Sequence, residues 1–394
     1  MNKKIVIPIA IGLLIAAIVV ANISGGGNKV FLEWKAISSK SEAVDSIELK
    51  VYVENSGSMD GYMCDGSNLK DAVFDYVSDL KKYSDATSLF YINSNIIPRK
   101  TSLEDYIQNL TPNSFAKAGG DRANTDLRKI FDMILQNHKR NAITVFVSDC
   151  ILDIPQNALN FFGNCQVSIK NSFYNILKTN PCLGVQILKL QSKFNGYWYC
   201  GKNKELLNNV KRPYYIWVIG DKQILAKINK GVPYKNIIGG VESYCAFSNP
   251  DIIPFDISKK NYVINHTNKI YVDILANLSS SLQTENVLTD CNNYSTSKPT
   301  QTKVVSAKRI TTSGSKYSHV IKLEIENPHS LNFETVTIHF PSMPSWVNAT
   351  NDDTGENVTQ NLDKTTGIYY LINGVSEAYN TAAPYGKISF RIKK

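Results

Sequence analysis

The sequence predicts an α/β domain with a doubly wound, mostly parallel sheet, followed by an all-β sandwich. Between residues 45 and 230, apolar strand-like runs alternate with segments of helical periodicity, which is typical of a sheet with helices on both faces. After residue 230, glycine and proline become frequent and strand-like alternation then dominates. The length of 394 residues is sufficient for two or three domains.

The first strand of the α/β domain is predicted at residues 47–53, where apolar and partly β-branched side chains alternate. The loop that follows carries Glu54, Ser56 and Ser58 at a spacing of two. In extended backbone this spacing directs side chains to one side, and ligands of open α/β sheets bind at the carboxyl ends of the strands. One carboxylate and two hydroxyl groups at one point favour a hard divalent cation, Mg²⁺, Mn²⁺ or Ca²⁺.

This loop resembles the first motif of the von Willebrand factor A domain, Asp-x-Ser-x-Ser, which begins the metal-ion-dependent adhesion site of that family. Glu54 stands where the family has Asp. In the family, a Thr from a later loop and an Asp at the end of a later strand complete the site. The Gly-rich loop at residues 119–127 resembles the second motif and nominates Thr125, and the strand at residues 142–149 resembles the third and nominates Asp149.

The resemblance covers roughly residues 45–230 and implies a Rossmann-like fold and a function in recognition. It implies that the hydroxyl groups touch the metal directly, that the acidic residues act through water or directly, and that a partner's Asp or Glu carboxylate fills the open position. Mg²⁺ is the expected ion. The implied metal ligands are Glu54, Ser56, Ser58, Thr125 and Asp149.

Three alternatives stand beside this adhesion or assembly module. In the first, Glu54 silences the metal site and the domain is a scaffold that binds partners without metal. In the second, the Ser-Gly-Ser segment is a plain turn, capped by Asp149, and Thr125 is a helix N-cap. In the third, a serine hydroxyl is the nucleophile of a hydrolase, but it would need a base, and none of the five histidines lies in these loops. We therefore expect a binding protein and not an enzyme.

The composition sets further bounds. The formal charge of +9 comes from 43 basic and 34 acidic residues. The basic residues are dispersed and lack interleaved aromatic residues, so no nucleic-acid partner is predicted. The frequent use of Lys, Asn, Ile and Tyr suggests a bacterial source.

The N-terminus predicts a membrane anchor. Lys3 and Lys4 precede an uncharged apolar run at residues 5–23, long enough to span a hydrocarbon core of about 30 Å. A cleaved signal peptide is the alternative, although the run exceeds a typical signal core and no clear cleavage site follows. As an anchor, the run would be a single-pass helix in the inner membrane, with the later domains in the periplasm.

The predicted division of the chain is an anchor and glycine-rich tether at residues 1–28, a von Willebrand factor A-like domain at 29–230, a linker at 231–260 and an immunoglobulin-like sandwich at 261–394. The sandwich lacks the Cys-Trp-Cys signature of true immunoglobulin domains. Residues 194–199 are expected to form an aromatic turn, either tucked in or used as a contact surface. Cys182 and Cys200 are a candidate disulfide pair, with buried free thiols as the alternative.

Overall fold

A computed structural model describes residues 29–36, 46–123, 125–155, 160–249, 253–339, 343–382 and 385–394. The strands in these residues are β1 (Lys29–Glu33), β2 (Glu48–Glu54), β3 (Ala86–Ile92), β4 (Ile96–Arg99), β5 (Ala142–Ser148), β6 (Leu183–Cys200), β7 (Asn203–Asp221), β8 (Ser243–Ser248), β9 (Phe255–Ile257), β10 (Asn261–Val263), β11 (Lys269–Ala276), β12 (Tyr294–Thr296), β13 (Thr302–Arg309), β14 (His319–Glu326), β15 (Phe333–His339), β16 (Asn351–Asp352), β17 (Thr365–Thr366) and β18 (Tyr385–Lys393). The α-helices are α1 (Leu69–Lys81), α2 (Leu103–Gln108), α3 (Pro112–Lys117), α4 (Leu127–Gln136), α5 (Phe161–Thr179), α6 (Lys222–Gly231), α7 (Glu285–Thr289), α8 (Ser345–Ala349) and α9 (Ile368–Ala382). The protein is therefore of mixed α/β class with several sheets.

The largest sheet has seven strands in the order β4-β3-β2-β5-β7-β6-β8. Helices cover both of its faces, because neighbouring positions of a buried strand such as β2 point to opposite sides: Val51 joins one apolar cluster with α1 and α6, while Tyr52 joins a second cluster with α4, α5 and α9. Helix α1 begins where the sequence predicts a helix and buries the apolar side of its surface, including Leu69, Val73 and Leu80.

The sequence predicted a mostly parallel sheet, and this prediction is wrong. Among its described strands, β3, β2 and β5 are parallel neighbours, and the other pairings are antiparallel. The physical reason is the connection between β6 and β7. Only Gly201 and Lys202 join these strands, and a loop of two residues permits an antiparallel pair alone, since a parallel crossover needs about a dozen residues.

Two further antiparallel sheets enclose a core of their own. One has the order β10-β1-β18-β15-β12 and the other β13-β14-β11-β9. Their inward positions supply one apolar cluster that includes Val30, Val272, Leu323, Val336 and Phe390. Polar side chains alternate with these positions along the strands, as in half-exposed antiparallel sheets.

The chain passes between the seven-stranded sheet and the two-sheet region more than once. Strand β1, which belongs to the predicted first domain by position, pairs with β10 and β18 in the two-sheet region. Helix α9, which lies in the range where we expected an all-β sandwich, packs on α5 beside the large sheet, with Gly374 against the backbone of Gln166. The predicted boundaries at residues 230 and 261 therefore do not separate the sheets.

The prediction of a transmembrane helix is corrected. Within the part of the chain that the structure describes, no helix has the length and apolar character needed to cross a membrane. The run at residues 5–23, on which the prediction rested, lies outside the described residues.

Candidate binding cleft at the carboxyl ends of β2 and β5

The five predicted site residues meet at one edge of the seven-stranded sheet. Strands β2 and β5 are parallel neighbours, with Val53 opposite Val147, so the loops after their carboxyl ends lie side by side. The Ser148 hydroxyl donates a hydrogen bond to Glu54 Oε2 at this junction. Both acidic residues are almost completely buried, with 3% of Glu54 and 2% of Asp149 exposed.

A cleft of about 370 Å³ opens above this edge. Glu54, Ser56, Ser58 and Thr125 line it, and Asp149 lies beneath them, where the Ser58 hydroxyl influences its pKa. The structure therefore brings together all five residues that the sequence nominated. Arg122 and Tyr199 also line the cleft, and neither was predicted as a site residue.

The hydroxyl groups of the cleft are only partly engaged by the protein. Ser56 Oγ lies 3.1 Å from Ser58 Oγ. Thr125 Oγ1 is buried and has no hydrogen-bond partner among the described residues, and the same holds for Asp149 Oδ2. Buried polar atoms in proteins are hydrogen-bonded in the large majority of cases. Two unpartnered oxygen atoms at one place are therefore a feature that a bound ligand would explain.

We considered two plain structural roles, a helix N-cap for Thr125 and a turn cap for Asp149. The first is absent and the second is present only in part. Thr125 is not the N-cap of α4, because Asp126 Oδ1 accepts the hydrogen bond from Arg128 N, at 3.0 Å. Asp149 Oδ1 does accept a long hydrogen bond from Ile151 N, at 3.4 Å, so one of its oxygens supports the local turn. Its other oxygen has no such role.

Both carboxyl groups of the cleft have a raised pKa. Burial and then the negative charge of Asp149 raise the pKa of Glu54 to about 8, against hydrogen bonds from Ser148 and Ser56. Burial also raises the pKa of Asp149. Near neutral pH the pair therefore holds a proton, unless a cation takes its place.

The backbone after β5 is held in an unusual conformation. Cys150, directly after Asp149, has a φ of 56°, which non-glycine residues seldom adopt. Its N–H donates to Ser148 Oγ at 2.7 Å, and its thiol accepts a hydrogen bond from Trp217 Nε1 at 3.2 Å. These contacts keep the turn in place and so fix the direction of the Asp149 side chain. Strained backbone of this kind is frequent at functional sites.

Arg122 ties the loops of the cleft together. Its Nε donates to Asn55 O at 2.7 Å, and its Nη2 donates to Ser56 O at 3.2 Å and to Asp60 Oδ1 at 2.5 Å. The Gly-rich loop that supplies Thr125 is thereby attached to the loop that supplies Ser56. One signal could have pointed to this residue, since Arg122 lies inside the segment that resembles the second motif.

A second arginine lies below the cleft. Arg212 of β7 is 2% exposed, and its Nη1 donates to Asn361 O and Leu362 O, both at 3.1 Å. Its positive charge lowers the pKa of Asp149 and so opposes the effect of burial. No local pattern in the sequence pointed to this residue, because its role depends on the pairing of β7 with β5.

The wall of the cleft is the end of a long hairpin. Beyond the part of β6 and β7 that pairs with other strands, the two strands continue as a two-stranded arm to Cys200 and Asn203. The predicted aromatic turn at residues 194–199 is part of this arm. Its Tyr199 lies beside Gly57 in the cleft, whereas Trp198 is buried.

The arm is packed closely on the segment that carries Ser58. A Cβ atom on Gly61 would lie 2.3 Å from the Phe194 ring, and a Cβ on Gly196 would lie 2.8 Å from the Gly61 Cα. Both positions require glycine because nothing larger fits. Cys200, a candidate disulfide residue, is a free buried thiol whose Sγ lies 3.6 Å from Leu152 O.

The prediction of a metal-binding group is corrected in one respect. The described residues contain no group of three or more His, Cys, Asp and Glu side chains that is able to hold a metal ion. The carboxyl groups of Glu54, Asp60 and Asp153 line the cleft and Asp149 lies beneath it, but Asp60 is paired with Arg122 and Asp153 accepts a hydrogen bond from Gly201 N. A metal centre rich in anionic or imidazole ligands is therefore absent from this part of the chain.

Comparison with known proteins does not place the chain in a family. No family model matches it. No curated protein matches it either. The resemblance to the von Willebrand factor A domain therefore stays a prediction from the three motifs.

Proposed function

We propose that this protein is a binding module that recognises a protein partner through the cleft at the carboxyl ends of β2 and β5. The observation that supports the proposal most is the gathering of five oxygen-bearing side chains from three separate loops, with Thr125 Oγ1 and Asp149 Oδ2 buried and unpartnered. Polar groups in this state favour a ligand, since a buried oxygen without a partner costs free energy.

In the first form of the proposal, a divalent cation occupies the cleft. Ser56, Ser58 and Thr125 would hold it, with Glu54 and Asp149 as further oxygen donors, and this donor set suits Mg²⁺. The ion would supply a strongly positive point to which an Asp or Glu carboxylate of the partner binds. Arg122 at the rim is paired with Asp60, so the ion itself would supply the positive charge that attracts the partner.

In the second form, a proton takes the place of the cation. Glu54 with a pKa of about 8 is mostly protonated at neutral pH, and Arg212 compensates the charge of Asp149. The domain is then a scaffold that binds its partner without metal, through the rim and the arm. The fold assignments, von Willebrand factor A-like for the large sheet and immunoglobulin-like for the two-sheet region, belong to both forms. The periplasmic location rests on the sequence of residues 1–28 alone.

Isothermal titration of Mg²⁺ and Mn²⁺ into residues 29–394, which contain every described element, distinguishes the two forms. A Ser56→Ala/Ser58→Ala variant should lose saturable binding if the cation form is right. The chain offers a matched control, because Ser313→Ala/Ser315→Ala changes a second Ser-Gly-Ser segment, in the two-sheet region. Absence of binding to the folded parent protein would favour the form without metal.

A hydrolase is the alternative of a different class. A serine nucleophile needs a base, and of the described residues lining the cleft none is a histidine. We therefore propose a binding protein and not an enzyme. Turnover of a generic ester or phosphoester that is lost in the Ser56→Ala/Ser58→Ala variant, but kept in the control, would overturn this choice.

A further inference from the structure

The outward face of the sheet β10-β1-β18-β15-β12 combines exposed apolar rings with basic side chains. Strand register places Phe31 opposite Lys393, and places Arg391 between Glu33 and Phe333 on its two neighbouring strands. Phe31 is 45% and Phe333 48% exposed. The two rings are thus displayed on one face of the sheet and separated by basic residues of β18. We refer to this surface as the β18 face.

The charges of the β18 face are nearly all of one sign. Its basic residues in the described strands are Lys29, Lys387, Arg391 and Lys393. Among the outward positions of these strands that the structure describes, Glu33 is the only acidic one, and it forms an ion pair with Lys393 at 2.8 Å. Val263, opposite Lys29, adds a third exposed apolar side chain, with 66% of its surface exposed.

The outward face of the other sheet of this region differs in charge. On β11 and β14, Lys269 forms an ion pair with Glu324 at 2.8 Å, and Lys322 lies 3.6 Å from Asp273. Basic and acidic side chains alternate there, and Tyr271 donates a hydrogen bond to Glu324 at 2.9 Å. Along β11 and β14 the outward basic side chains are therefore paired with acidic ones, unlike most of those on the β18 face.

We propose that the β18 face docks on an anionic phospholipid surface. Basic side chains are attracted to anionic headgroups, and apolar rings between them enter the boundary between headgroups and acyl chains.

The test is sedimentation of residues 29–394 with vesicles of phosphatidylcholine alone or with one third phosphatidylglycerol. Without residues 1–28, any binding comes from the folded part. We expect binding to the anionic vesicles only, and weaker binding as salt is raised above about 0.1 M, where the Debye length falls below about 10 Å. Equal binding to both kinds of vesicle, or none to either, would overturn the proposal.

Two pairs of variants locate the contact. Lys387→Glu/Arg391→Glu should weaken binding at least about tenfold, since each basic residue near an anionic surface contributes about fivefold. Lys303→Glu/Lys308→Glu on the outward face of the other sheet makes the same change of charge and should have a much smaller effect. Phe31→Ser/Phe333→Ser should also reduce binding, with Tyr271→Ser as its control.

Circular dichroism and urea unfolding establish that each variant is folded. Since the substituted side chains point outward, we expect near-parent unfolding curves. If the controls lose binding as much as the β18-face variants, general charge and not this face is responsible. Equal binding to soluble polyglutamate would point to an acidic protein as the partner. Either result would overturn the proposal.

Discussion

The two regions of the molecule bury carboxyl groups in different ways. Glu334 in the two-sheet region is completely buried, and its Oε1 accepts hydrogen bonds from Ser297 N at 2.8 Å, Ser297 Oγ at 2.6 Å and Thr335 N at 2.9 Å. Asp149 beside the large sheet accepts only one long hydrogen bond on Oδ1 from the described residues, at 3.4 Å. In both residues the second oxygen has no partner in the described part of the chain, so the difference lies in how firmly the first oxygen is held. Glu334 connects two strands, whereas Asp149 lies under an open cleft.

The strands of the two regions also differ in how their side chains are buried. Every residue of β5 is buried, whereas β14 alternates between buried and partly exposed positions. A strand that is buried on both faces can present polar groups only at its end, and β5 ends at the cleft. In the two-sheet region, polar groups are displayed along the outward faces. Recognition is therefore expected at an edge in one region and across a face in the other.

The largest expected difference in stability between the two regions follows from removing an aromatic ring. Phe131 is fully buried against Phe146, Phe173 and Trp217, so Phe131→Ala should lower the free energy of unfolding by about 3–5 kcal/mol. Phe333→Ala on the β18 face removes a ring that is half exposed and should cost far less. Equilibrium unfolding in urea measures both. Similar losses would mean that the β18 face is covered in solution.

The next largest loss of stability is expected where the arm of β6 and β7 packs on the segment that carries Ser58. Gly61→Ala places a Cβ against the Phe194 ring and should cost about 1–3 kcal/mol. Gly163→Ala is the matched control, because a Cβ there meets nothing within 4 Å and the position lies inside α5. It should be neutral or stabilise by up to about 1 kcal/mol. A neutral Gly61→Ala would show that the arm is not packed on the cleft.

Removing a helix-capping side chain should give a smaller difference in stability. Asp126 accepts a backbone hydrogen bond at the start of α4, so Asp126→Ala should cost about 1 kcal/mol. Thr284 precedes α7 but makes no side-chain hydrogen bond to it, so Thr284→Ala should change stability less. Thermal unfolding of the two variants in one buffer makes the comparison. The reverse order would contradict the cap geometry next to Thr125.

The smallest effect at neutral pH is expected for Glu54→Gln, because glutamine resembles the protonated acid. The raised pKa of Glu54, about 8 against an ordinary 4.5, means that the folded protein keeps a proton that the unfolded chain releases in this window. Stability is therefore lost as the pH rises toward 8, and Asp149 acts in the same direction. The Gln variant should lack most of this loss.

The comparison is best made between about pH 6.5 and pH 8. Burial and then the charge of Lys50 lower the pKa of His138 from 6.5 to about 4, so His138 adds stability as the pH rises between these values and opposes Glu54 there. Urea unfolding of the parent protein and the variant across the window measures the slope. Parallel slopes for the two proteins would show that Glu54 is ionised in the folded state.

Sequence patterns predicted the parts of the fold that depend on neighbours along the chain. The burial of α1 and β5 follows from apolar periodicity, and Ser56 and Ser58 could be nominated because a spacing of two fixes their direction. The mixed direction of the large sheet was not predicted, since periodicity does not encode which strands pair. Asn195 and Gly196 suggested a turn, but they form a bulge within β6.

The missed residues of the cleft come from distant parts of the chain. Arg212 and Tyr199 reach it through the pairing of β6 with β7, and the two-residue loop at Gly201 and Lys202 is a signal that could have shown this hairpin but was not used. Helix α9 was missed for a different reason. Its side chains pack on α5, more than a hundred residues earlier in the sequence, and only the three-dimensional arrangement shows that the chain returns.

The chain crosses between the two regions near both of its described ends, and this affects how the molecule would respond to cleavage. Strand β1 lies in the two-sheet region and α9 lies on the large sheet, so a break in the chain between residues 249 and 253 would leave two fragments that each belong to both regions. Each fragment would retain its place in two apolar cores. We therefore expect fragment complementation, in which the two fragments of a cleaved chain remain associated without a peptide bond between them.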